Sequence, residues 1–79
     1  GPEVEPEGEI RILGFSGGLY AVARCEGLQN IGDVWQALVK WREDSKYKKA
    51  HHQWLEELLT DPGVPPEEYV FNLYLPVAE

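Results

Sequence analysis

Between Asn30 and Ser45 the apolar residues Ile31, Val34, Trp35, Leu38 and Trp41 recur at three- and four-residue spacing, which lines one stripe of an amphipathic helix. A helix with one apolar stripe is stable only against a second layer that covers it, so the rest of the chain must supply that layer. Asn30 suits an N-cap, and Asp33 places a carboxylate in the first turn, where the helix dipole favours it. Gln36, Lys40 and Arg42-Glu43-Asp44 fall mostly on the wet side, and the helix is expected to end near Ser45.

The flanking segments read as strands. EIRILGF, residues 9–15, alternates imperfectly and is rich in Ile and Leu; Ser16-Gly17-Gly18 then breaks it. LYAVARCEG resumes the alternation, with Leu19, Ala21, Ala23 and Cys25 on one face and Tyr20, Val22 and Arg24 on the other. Small residues on the first face let a helix pack closely. The glycine pair marks either a hairpin turn or a kink in one long strand. After the Pro-rich loop at 61–68, YVFNLYLPV is aromatic and β-branched. It puts Tyr69, Phe71, Leu73 and Leu75 on one face and Val70, Asn72, Tyr74 and Pro76 on the other. Pro76 has no amide hydrogen to donate, so it is expected at a strand end or on an edge.

One segment resists this reading. In HHQWLEELLTDP, residues 51–62, Trp54 to Leu59 favours helix by propensity. With period two it is a strand carrying Trp54, Glu56 and Leu58 on one face and Leu55, Glu57 and Leu59 on the other. A sheet needs about three strands to be stable on its own, which favours strand. The residues alone leave both open.

Composition narrows the function classes. A chain of 79 residues is one domain at most, and one this short buries only about 60% of its unfolded surface. Three Trp, four Tyr and two Phe argue for a packed core. The formal charge of −7 argues against direct nucleic-acid binding. Lys46, Lys48 and Lys49, around Tyr47, read as a solvated loop. A single cysteine gives no internal disulfide and suits a reducing, cytoplasmic setting. No apolar run is long enough to span a membrane. His51-His52 is not a metal site, since adjacent side chains on a strand point apart and no further ligands stand nearby. Cys25 reads as a packed thiol, and Gly17-Gly18 lacks the spacing and lysine of a phosphate loop. Nothing implies a metal or a cofactor.

GGLYAVARCEG, DVWQALVKW, WLEELLTDP and PPEEYVFNLYLPV, in that order and at these gaps, resemble the second repeat of the GyrI-like small-molecule-binding domain. That domain is the effector-binding module of many AraC-type and MerR-type bacterial transcription regulators. The resemblance covers residues 9–77. It implies an α+β fold in which a strand-helix-strand-strand unit, here with its first strand kinked or split, forms an antiparallel sheet covered by one helix. It therefore makes residues 52–60 a strand. In the family two such units join around a pseudo-two-fold axis, leaving a cleft that takes lipophilic, often cationic, compounds. This chain carries one unit: residues 1–8, GPEVEPEG, read as an acidic Pro-rich linker and 9–79 as a half-domain. Either a first repeat is missing, or the chain pairs as a homodimer that rebuilds the cleft.

The resemblance also proposes a site. LEELLTDP aligns with the family's acidic cleft position and puts Glu56 there, with Leu58 where the family often has tyrosine. Trp54 shares the face of Glu56 on a strand. Tyr74 is the next aromatic away from the Phe71 stripe, and Asn72 and Tyr20 follow as weaker candidates. Trp35 and Trp41 are core. The first functional reading is a small-molecule effector-binding module. The alternatives are a GyrI-like hydrolase of electrophilic small molecules with Glu56 as general base, and a plain interaction domain that pairs through a sheet edge.

Overall fold

In a computed structural model, which describes residues 10–79, the chain folds as one helix on one face of an antiparallel sheet. Strand β1 is Arg11–Phe15 and β2 is Gly18–Glu26; helix α1 is Ile31–Asp44; β3 is Lys48–Lys49, β4 is Leu55–Leu58 and β5 is Val70–Ala78. The long strand β5 is central. It pairs with β2 on one side and with both β4 and β3 on the other, while β1 flanks β2. The α+β class and the covering helix are as expected. The linker assigned to residues 1–8 lies outside the described residues.

The two faces follow from alternation. Ala21, Ala23 and Cys25 of β2 and Phe71, Leu73, Leu75 and Val77 of β5 form the core beneath Val34 and Leu38 of α1, with Ile31, Trp35 and Trp41 packed at its rim. The small side chains of β2 let the helix settle close to the sheet. Burial raises the pKa of the Cys25 thiol, as expected of a packed cysteine. The glycine pair resolves as a hairpin: β1 and β2 run antiparallel with Phe15 opposite Gly18, so the first strand is split and reversed.

Several local expectations are corrected. Asn30 occupies the N-cap position, but its side chain caps nothing. A 3-10 turn, Leu28–Asn30, ends on it, and the Asn30 side-chain amide donates back to the Glu26 carbonyl at 2.8 Å. Arg42, expected on the wet side, is 6% exposed. Its Nη1 donates to the Pro76 carbonyl at 3.0 Å. Pro76 itself lies inside the central strand rather than on an edge. The Val70 carbonyl accepts from the Leu59 amide at 2.8 Å, so alternate residues 72, 74 and 76 turn toward the β4 side as well. There Pro76 falls between the reach of β4, which ends at Tyr74, and that of β3, which begins at Val77. A missing N–H costs nothing in that gap, and Arg42 satisfies the carbonyl.

The lysine run is not all loop. Lys48 and Lys49 pair with Ala78 and Val77 because β4 leaves that end of β5 uncovered. The Tyr47 ring beside them stacks on Trp41, centroids 5.9 Å apart. The disputed segment is a strand, Leu55–Leu58 and so shorter than the expected 52–60: His52 and Gln53 are instead bonded to Leu19 and Tyr20, and pairing begins at Leu55.

Candidate functional site on the face away from the helix

Register decides which side chains meet. Leu55 stands opposite Tyr74, Glu56 opposite Leu73, Glu57 opposite Asn72 and Leu58 opposite Phe71. Directly opposed residues share a face. Leu73 and Phe71 face the helix, so Glu56 and Leu58 stand on the helix side, at the exposed rim beyond α1. Trp54 joins them there, its ring 5.0 Å from that of Trp35. Glu57 stands on the second face, which no described helix covers, with Asn72, Tyr74 and Tyr20. The structure thus brings three of the five expected residues together and places Trp54 and Glu56 on the other side.

On the second face Glu57 is held by two donors. The Tyr74 hydroxyl donates to its Oε1 at 2.5 Å and the Asn72 amide to the same oxygen at 3.1 Å. The Tyr74 bond, then the Asn72 bond, hold the Glu57 carboxyl below the usual carboxylate range. The same carboxylate pushes the Tyr74 phenol above the usual tyrosine range. Each shift favours the bonded pair. The contribution of Glu57 is present above the ordinary carboxylate pKa and fades as pH falls through its lowered value. That of Tyr74 is present below the ordinary phenol pKa and fades as pH rises through its raised value. Tyr74→Phe is expected to move the Glu57 carboxyl part of the way back up, with Asn72 still bound. Carboxyl-carbon NMR titration reads this, and an unmoved Glu57 titration would show the Tyr74 bond to be absent in solution.

Aromatic rings surround this carboxylate. Phe15, 50% exposed, lies 5.7 Å from Tyr20 and 6.0 Å from Tyr74 between ring centroids, and Tyr20 meets Tyr74 edge-on at 5.8 Å. Tyr20 is only 4% exposed; its hydroxyl donates to the Gln53 carbonyl at 2.7 Å, and it forms the floor. His52 closes one end. Its ring meets Tyr20 edge-on at 4.9 Å, and its Nε2 bonds the Leu19 carbonyl at 2.8 Å. Arg11 and Arg24 share this face, opposite Val22 and Asn72, and Arg24 is tied to Glu26 at 2.9 Å. Among the described residues no cluster of His, Cys, Asp and Glu could hold a metal.

Glu57, Phe15 and His52 were not among the expected site residues. Alternation put Glu56 and Glu57 on opposite faces, but only the register of β4 on β5 says which face is which. Phe15 shares the parity of Arg11 and Leu13, a signal the sequence did hold. His52 had none, since residues 51–54 belong to no regular element whose alternation could place it.

A face of aromatic rings around one fixed carboxylate can hold an organic cation by stacking, cation–π contact and charge. No helix of the described residues is long and apolar enough to cross a membrane. No curated protein and no solved structure matches the chain. The model of the GyrI-like small molecule binding domain matches residues 1–78; the chain belongs to that family.

Proposed function

We propose that the chain binds lipophilic organic cations on the face away from the helix, with Glu57 as the counter-charge and Phe15 and Tyr74 as walls over a Tyr20 floor. The observation that carries this is the Glu57 carboxylate, fixed by the Tyr74 hydroxyl and the Asn72 amide beside three aromatic rings. The formal charge of −7 favours the same sign of ligand. In this reading Glu57 takes the role that the family resemblance suggested for Glu56. One unit supplies one wall; a second unit, from a first repeat or a second copy, supplies the other. The setting that fits is the effector-binding part of a cytoplasmic bacterial transcription regulator.

Calorimetric titration with a rhodamine-type cation and a neutral analogue of like shape tests the reading. Glu57→Gln is expected to weaken the cation about tenfold and leave the neutral compound unchanged. Glu56→Gln is expected to change neither. A loss in Glu56→Gln instead would move the site to the helix side. Turnover of the ligand would favour the hydrolase alternative; transferred from Glu56 to Glu57 it has less support, because the Glu57 carboxylate, drawn down by two donors, is a weaker base.

The sheet-edge alternative has an observation of its own. The outer edge of β4 is unpaired among the described residues, and Trp54, Leu55, Leu58 and Leu59 beside it are exposed. Such an edge can add a strand from a second copy, although Glu56 and Glu57 also guard it against indiscriminate pairing. Native mass spectrometry of the same samples reads both stoichiometries.

A further inference from the structure

The two bonds that hold Glu57 fall on the same atom. Tyr74 and Asn72 both donate to Oε1, which fills the two lone-pair sites of that oxygen. Among the described residues Oε2 has no hydrogen-bond partner. We propose that this site selects cations carrying N–H donors, such as primary or secondary ammonium and amidinium groups, over fully substituted cations of equal charge and aromatic area. The inference rests on the ligand reading above and adds what that ligand must present.

Three attractions are available to a cation here, and only one tells these classes apart. Charge alone does not. Glu57 is exposed, and an ion pair across water is weak and screened by salt. Arg11, on the same face opposite Val22, offsets part of the carboxylate's pull. The rings do not discriminate either, since cation–π attraction to Phe15 or Tyr74 needs a positive charge and no N–H group. What remains is a charge-assisted hydrogen bond to Oε2, which is stronger and more directional than a neutral one. The carboxylate is already held by two donors, so little freedom is lost when a third bond forms. A trimethylated ammonium cannot form it. Its methyl groups would also displace water from Oε2 and return no donor, leaving that oxygen unsatisfied.

The test is calorimetry of the full chain with naphthylmethylammonium and with its trimethyl analogue. The primary cation is expected to bind about tenfold more tightly, and Glu57→Gln to bring the two within about twofold. Near-ultraviolet circular dichroism confirms that the variant is folded. Equal affinities in the wild type, both lost in Glu57→Gln, would overturn the donor preference and leave the cation reading standing. A preference that survives in Glu57→Gln would come from methyl bulk and would also overturn it. No binding of either probe to the wild type would sink both readings together.

Discussion

Replacing Leu38 with alanine is expected to cost about 3–5 kcal/mol of stability, the upper part of the range for a buried leucine. Leu38 is 0% exposed at the middle of the stripe of α1, above Ala21, Ala23 and Cys25. Those neighbours are small, and the larger core residues Leu73 and Leu75 sit on a strand paired on both sides, so the space that a lost isobutyl group leaves is filled only in part. The helix cannot sink to fill it either. Its two ends are pinned, by Trp35 against Trp54 and by Trp41 against Tyr47, and Arg42 ties its last turn to Pro76. A chain of 79 residues has roughly 4–12 kcal/mol of total stability to lose. Urea unfolding should therefore show a variant with a much lower midpoint and an unchanged slope, or one already unfolded in buffer. Gln36→Ala, on the exposed side of the same helix, is the control and is expected to stay within about 0.5 kcal/mol of the wild type. A small loss at Leu38 would mean that the helix rides loosely on the sheet.

The stripe that Leu38 centres was legible because its period is unambiguous. So were the faces of β2 and β5, where Ala21, Ala23 and Cys25 against Phe71, Leu73 and Leu75 left no choice about which side a helix would cover. The strand nature of Leu55–Leu58 was legible only through the number of strands a sheet needs and the family resemblance, since four good helix formers sit in an edge strand whose side chains are all exposed. Tertiary pairing with β5, and not intrinsic preference, decides it. What the residues could not disclose was register. Glu56 and Glu57 are adjacent and chemically identical, and a slip of one residue exchanges their faces. The burial of Arg42 and the central place of Pro76 were hidden for a related reason. Each breaks a rule alone, and they satisfy one another only when the gap between β3 and β4 is known.

Gly18→Ala is expected to cost about 2–3 kcal/mol, from two separable causes. Gly18 opens β2 with φ at +139°, a backbone conformation that L side chains rarely adopt. A methyl group there would also stand 2.7 Å from Cε1 and Nε2 of His52. To clear it the imidazole must move, and its bond to the Leu19 carbonyl is strained or lost. Gly17 is the internal control. It lies in the same hairpin, has no positive φ, and a methyl group on it meets nothing within 4 Å. Gly17→Ala is thus expected to be close to neutral. His52→Ala separates the two causes. It removes the ring that the new methyl would strike but leaves the backbone strain, so the double variant should cost less than the two single variants added together, by about 0.5–1 kcal/mol. Strict additivity in urea unfolding would mean that His52 does not stand over Gly18 in solution. The imidazole would then not close that end of the aromatic site, and the Tyr20 floor would lie open beside it.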